Sequence, residues 1–585
     1  MTDWGSIGGG LDRPLADLSS QWDREQRVRR LWDRDANLWT GRDEHRWLGW
    51  LSPDGLAASA DELVRLGRDV RRRGLTDVVL LAIGGSSLGA EVLGQVLLVD
   101  ERHSHLYVID STDPGQVSRT MSCISLDRAL FIVSSKSGTT LEPLLLFDYF
   151  LGLVRSRIGV EQAKTRFIFV TDPGSGLESR ARLEGFSQIW HGHPDVGGRF
   201  SVLSNFGLVP AAAAGVNTSI LLNRALTMAA SCSYRTSART NPGVRLGLIL
   251  GLAASCGRDK VALVLSPEIS PLGSWIEQLL AESTGKFGFG LIPVVDEALG
   301  ALGVYRDDRL FVYLRLETAV DPVQEKALER IGDAGHPVVT LSLSDTMDIG
   351  GEFFRWQFAT AVCSAVLKIN PFDQPDVEAS KEAARELTNS YGASVSIRNV
   401  PPLAVVDGIK LYADSSNVKF FGSLSRGLSR VEDYLSAHLG RLGDGDYFAI
   451  LAYIDRNPSN AAILQRLREI VRDSRKVATT VGFGPRFLHS TGQLFKGGPS
   501  TGVFLQITCD DALELKIPSL GYSLGVVKAA QALADGRVLD ERGRRILMVH
   551  VGTDVVSGLT RLEQLVRSAL QQSELDDISQ GDELA

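Results

Sequence analysis

Short continuous apolar runs alternate with amphipathic stretches along this chain. Val78–Ile83, Leu106–Ile109, Leu130–Val133 and Phe167–Val170 are runs of strand length without polar alternation. Strands of that kind are covered on both faces, and with helices between them they predict a parallel sheet with crossover helices. The pattern resumes at Val261–Leu265, Leu310–Leu314 and Val338–Leu341, which reads as a second α/β unit, with a long helix over Phe353–Leu367. Further strands are expected at Tyr447–Tyr453, Val477–Thr480, Val503–Ile507 and Ile546–Val549, in that second unit or an extension of it.

The ends differ from this body. Trp22, Trp32, Trp39, Trp47 and Trp50 punctuate the first 60 residues at spacings that suggest helices laid on the body. From Ser573 the chain is acidic and expected to be disordered. The chain therefore divides into a helical N-terminal extension (1–60), a first α/β unit (61–235), a second (236–545) with an insertion at about 395–474, and a C-terminal strand, helix and acidic tail (546–585).

Composition narrows the class. A chain of 585 residues is too long for one core. A formal net charge of -8 argues against a nucleic-acid partner, so an anionic substrate must be captured by local positive groups. The five cysteines are scattered and odd in number, which points to a reduced, cytoplasmic protein. The start, Met1-Thr2-Asp3-Trp4, carries no basic-then-apolar signal. No membrane partner is expected either, since Leu248–Cys256 is short, is flanked by Gly247 and Gly257, and contains Gly251.

The candidate chemistry begins at Ser134-Ser135-Lys136-Ser137-Gly138-Thr139-Thr140, between a strand and a helix. Ser135, Ser137, Thr139 and Thr140 offer hydroxyls, Lys136 an ammonium, and Gly138 lets the backbone bend close, as a phosphate cradle requires. Ser86, in Gly84-Gly85-Ser86-Ser87 after the first strand, offers a second wall at the same strand ends. Either loop alone reads equally well as helix capping; two in one sheet favour an anion. Neither is a nucleotide-binding fingerprint. His191, His193 and Asp195 lack the spacing and the further ligands of a metal site.

Ile83-Gly84-Gly85-Ser86, the Ser134–Thr140 loop, Gly197-Gly198-Arg199-Phe200-Ser201 and Glu282-Ser283-Thr284-Gly285-Lys286 occur in the order seen in glucose-6-phosphate isomerases. With His489 and Lys528 the resemblance spans roughly residues 60 to 545 and is similar in style to the isomerase half of transaldolase/isomerase fusions. No transaldolase activity is carried over. The resemblance implies two sugar-isomerase-type (SIS) α/β units and interconversion of glucose 6-phosphate and fructose 6-phosphate. It implies Glu282 as the base, Arg199 as the cation on the enediolate, and His489 and Lys528 as the ring-opening pair. It implies an obligate homodimer too, because in the family the histidine comes from the neighbouring subunit, and the proton transfer calls for no metal or cofactor. Each residue alone has a plainer reading, above all Glu282 as a helix carboxylate paired with Lys286. A phosphosugar-binding regulator, a mannose 6-phosphate isomerase and an aminosugar phosphate isomerase are the competing functions.

Overall fold

The computed structural model describes residues 6–53, 55, 60–98, 103–377, 401–424, 427–518 and 521–582. Its apolar runs form fifteen strands in three sheets. The first sheet is parallel throughout, in the order β2-β1-β3-β4-β5. It comprises β1 (Asp77–Leu81), β2 (His105–Ile109), β3 (Ala129–Ser134), β4 (Phe167–Thr171) and β5 (Ile189–His191). β1, β3 and β4 are buried along their whole length, as continuous apolar runs demand. Because β1 and β3 are parallel neighbours, the loops after Leu81 and after Ser134 leave the same edge side by side.

The second sheet, also parallel, has the order β7-β6-β8-β9. It contains β6 (Lys260–Leu265), β7 (Ile292–Val294), β8 (Arg309–Leu316) and β9 (Val338–Leu343). The remaining strands form a sheet of their own rather than extending the second. They are β10 (Ala404–Val406), β11 (Ile409–Tyr412), β12 (Tyr447–Tyr453), β13 (Ala478–Phe483), β14 (Gly502–Thr508) and β15 (Arg545–His550), in the order β10-β11-β15-β14-β12-β13. Thus residues 236–545 are shared between two sheets, 401–474 build the third sheet instead of interrupting the second, and β15 spans the expected boundary at 545/546. Residues 378–400 lie outside the described residues. β10 and β11 form a hairpin whose turn, Asp407-Gly408, has φ of +46° and +84°, the left-handed pair that matches strand twist.

The N-terminal helices, Asp12–Arg24 and Arg27–Trp32, pack on this chain's own body. Trp22 and Trp50 are fully buried, and the Trp32 and Trp39 indoles donate to the carbonyls of Cys232 (3.0 Å) and Ala361 (2.8 Å). Trp50 stacks on Phe200, ring centres 5.3 Å apart, and so supports the segment that carries Arg199. At the other end Val555–Asp582 is continuous helix, so the acidic segment expected to be disordered is helical as far as Asp582, and 583–585 lie outside the described residues. Its Glu, Gln and Leu residues are good helix formers and no proline interrupts them.

Ion pairs fasten the third sheet to the first. Arg486 binds Glu91 and Asp110, Arg456 binds Glu91 at 2.6 Å, and Arg119 donates to Asp455 at 2.6 Å. Burial alone would raise the Glu91 carboxyl, but Arg456 and Arg486 hold it down at about 2 against an ordinary 4.5. A depressed carboxylate contributes stability above its unfolded pKa and loses it as pH falls through the folded value. Thermal unfolding between pH 6 and pH 2 is expected to show stability falling as pH drops below the ordinary carboxylate value. In Glu91→Gln that acid limb flattens and stability at neutral pH drops by about 3 kcal/mol, because two buried guanidinium groups lose their partner.

Candidate active site

Glu282 lies on the last turn of a buried helix, Leu272–Thr284, which follows β6. Its carboxylate is 3.2 Å from the Arg199 Nη1 and accepts a hydrogen bond from Gln278 Nε2, also at 3.2 Å. The plainer reading of Glu282, paired with Lys286, does not hold. Lys286 turns instead to Asp373 Oδ1 (2.6 Å) and to the carbonyls of Asn370 and Asp373. Burial and the Arg199 cation pull the Lys286 ammonium down to about 8.

Arg199 is buried and fully used. Nε donates to Ser283 Oγ (2.8 Å), Nη1 to Gln374 Oε1 (3.0 Å), and Nη2 to the Pro371 and Asp373 carbonyls (2.5 and 3.1 Å). Burial lowers its pKa from the usual arginine value, while Glu282 and Asp373 work the other way. A rigid fork with five donors suits this crowded site, where a lysine would leave acceptors unpaired.

Glycine brings the pieces together. Gly84 has φ of +61°, and a Cβ on it would stand 2.8 Å from the Cβ and carbonyl oxygen of His489. A Cβ on Gly85 would collide with the Gly198 carbonyl. These two positions let the first-sheet loop touch both the His489 segment and the Arg199 segment.

His489 joins the two halves. Its carbonyl accepts from Gln278 Nε2 (2.8 Å), the same amide that reaches Glu282. Its ring Nε2 lies 3.0 Å from Glu142 Oε1. Glu142 sits in the first turn of helix Leu141–Ile158, directly after the Ser/Thr loop, and also accepts from Gln531 Nε2 (2.6 Å). Burial would raise the Glu142 carboxyl, but His489 and the hydrogen bonds around it bring it below the ordinary value. A carboxylate on one ring nitrogen fixes which nitrogen of the imidazole is free to exchange protons.

The Ser134–Thr140 loop is compact. Ser135 Oγ accepts from the Gly138 N–H (3.1 Å) and donates to Thr140 Oγ1 (3.2 Å), while Ser137 and Thr139 are exposed and share a hydrogen bond of 3.0 Å. Lys136 pairs with Asp172 and donates to the His193 carbonyl (3.1 Å). Thr140 precedes helix Leu141–Ile158 without a side-chain cap, so the first N–H groups of that helix have no side-chain acceptor at the cap. Ser86 is buried in the neighbouring loop.

Lys528 stands apart from the Arg199–Glu282 pair. Its ammonium is held by Asp113 Oδ2 (2.8 Å) and by Asp511, with Cys509 Sγ at 3.7 Å. Burial works against its charge, but Cys509, Asp113 and Asp511 outweigh that and raise its pKa well above the lysine norm. His191 binds Glu178 at 3.0 Å, and His105 opens the edge strand β2, exposed.

The sequence reading missed Glu142, Gln278, Gln531, and Asp373 and Gln374 of the loop after helix Ile349–Leu367. One signal was available: Glu142 follows the Ser/Thr loop by two residues, where a first-turn carboxylate belongs.

A family model described as phosphoglucose isomerase matches residues 62–288, which carry Ser86, the Ser/Thr loop, Arg199 and Glu282 but not His489. A glucose-6-phosphate isomerase of Rubrobacter xylanophilus is 30% identical over 362 residues, 53% of this chain and 82% of that protein. One from Mycoplasmopsis pulmonis is 27% identical over 381 residues, 57% of this chain and 88% of that protein. The fold is shared with a hypothetical protein of Thermus thermophilus, with a TM-score of 0.57 at 23% identity over 65% of this chain and 98% of that one. With 30% identity across 82% of a curated relative, the chain belongs to the glucose-6-phosphate isomerase family.

Proposed function

We propose that the chain interconverts glucose 6-phosphate and fructose 6-phosphate by ring opening and proton transfer through an enediol. The observation that carries this reading is the buried Glu282 carboxylate, 3.2 Å from the Arg199 guanidinium. A single carboxylate can take a proton from one carbon and return it to the next. A fixed cation beside it stabilises the oxygen that becomes negative between those two steps. We assign Glu282 as the base and Arg199 as the electrostatic stabiliser.

The substrate phosphate is placed at the first sheet, on Ser86, Ser135, Lys136, Ser137, Thr139, Thr140 and the uncapped N–H groups of helix Leu141–Ile158. Lys136 would then exchange part of its pairing with Asp172 for the phosphate. His489, oriented by Glu142, is assigned to ring opening. Lys528, held by Asp113 and Asp511, is assigned to ring opening with it. The units proposed are the extension 1–60, the unit 61–235, and one unit around each of the two later sheets.

We place the protein in the cytoplasm, a reading supported by five cysteines that are all free. Among the described residues no helix is long and apolar enough to cross a membrane. A homodimer is proposed as an assembly, but not as a requirement of the site. The family's histidine arrives from a neighbouring subunit, whereas His489 of this same chain reaches Glu142 and Gln278.

Coupled conversion of fructose 6-phosphate along a protein dilution series tests both parts. Turnover per chain is expected to stay constant within about twofold as the protein is diluted into the monomer range. Phosphosugar binding without turnover would instead make the protein a sensor, and activity that vanishes on dilution would mean the histidine is shared between chains.

A further inference from the structure

The third sheet has a crevice of its own. From β12 the chain runs through helix Pro458–Arg475 to β13 on one side, and from β14 through helix Leu524–Glu541 to β15 on the other. The carboxyl ends of β12 and β14, which are neighbours, therefore form a topological switch point, where open α/β sheets bind small molecules. A cavity of about 200 Å³ lies there, lined by Tyr453 at the end of β12 and by Thr508 and Cys509 at the end of β14. It lies beyond the residues matched by the isomerase family model.

Its charge is opposite to that of a phosphate site. Asp510, Asp511 and Glu514 line the cavity against one cation, Lys528, whose ammonium is already taken by Asp113 and Asp511. Asp510 is 58% exposed with His550 Nε2 at 3.3 Å, and Glu514 is exposed at the rim. The wall supplied by helix Leu524–Glu541 is apolar, with Val526, Ala529, Ala532 and Leu533. An anion would meet three carboxylates, whereas a cation with a short hydrocarbon body matches both the rim and the wall.

We propose that this cavity is a binding site for a small organic ammonium, a primary amine on a short apolar stem. The size fits: an apolar cavity of about 150 Å³ holds a benzene-sized ligand, so about six to eight non-hydrogen atoms fill this one. The cavity shares Lys528 with the residues assigned to the isomerase, while its carboxylates Asp510, Asp511 and Glu514 are separate from the Arg199–Glu282 pair.

Titration calorimetry on the full chain with n-butylamine, 1-butanol and butyrate tests it. Butylamine is expected to bind saturably, with Kd at or below about 1 mM, the alcohol at least about tenfold more weakly, and butyrate not at all. Two variants localise the site, each checked for unchanged thermal unfolding. Glu514→Gln, at the exposed rim, is expected to weaken butylamine about fivefold, and Ala529→Leu, which fills the cavity, to abolish saturation. Butyrate binding as well as butylamine, no saturation by any probe, or saturation unchanged in folded Ala529→Leu would each overturn the proposal.

Discussion

Glu282→Gln is expected to lower kcat about a thousandfold while KM shifts by no more than about threefold. The amide keeps the size and one acceptor of the carboxylate, so Arg199 Nη1 still finds an oxygen near its present 3.2 Å, and Gln278 keeps its place through the His489 carbonyl. What is lost is the ability to hold a proton in transit, which general bases supply at about 10²–10⁴ in rate. Arg199 retains its other four hydrogen bonds to Ser283, Gln374, Pro371 and Asp373, so the fold is expected to stay intact. Steady-state kinetics beside a thermal unfolding curve checks the separation. A variant with activity within tenfold of the parent would remove Glu282 from the role of base.

Arg199→Lys acts on charge and structure together. The positive charge remains, but one ammonium cannot reach Ser283, Gln374 and two carbonyls at once, so buried acceptors go unpaired. A loss of about 3 kcal/mol in stability is expected, together with a fall in kcat/KM of about a hundredfold from the misplaced cation. The two effects separate by temperature: well below the lowered unfolding midpoint the stability loss no longer matters, while the kinetic defect persists. Full activity there would mean that charge alone, without the fork, is enough.

The strands were legible because buried parallel strands write themselves as continuous apolar runs, and Val78–Ile83 and Tyr447–Tyr453 are seen in β1 and β12. Which sheet a strand joins is not written locally, and so β12 to β15 read as part of the second unit or an extension of it, although they pair only among themselves and with β11. The β10–β11 hairpin did carry a local signal, Asp407-Gly408 between apolar residues, and its shortness hid it. In the site, Arg199 and Glu282 come from motifs 83 residues apart and meet through folding, which the shared resemblance anticipated. Gln278 and Gln531 were illegible, since an interior glutamine on a helix looks like any other until its partners, the His489 carbonyl and Glu142, are in place. Lys528 looks locally like a solvated helix lysine, and only the fold buries it between Asp113 and Asp511.

The most direct measurement is conversion of fructose 6-phosphate in deuterated water by the parent chain and Glu282→Gln, with the product read by NMR. Proton transfer through Glu282, whose carboxyl proton exchanges with solvent while the enediol is bound, predicts glucose 6-phosphate carrying some deuterium at C2, and neither conversion nor label in the variant. Conversion that carries no solvent deuterium at all and proceeds equally in both proteins would contradict a carboxylate-mediated enediol pathway.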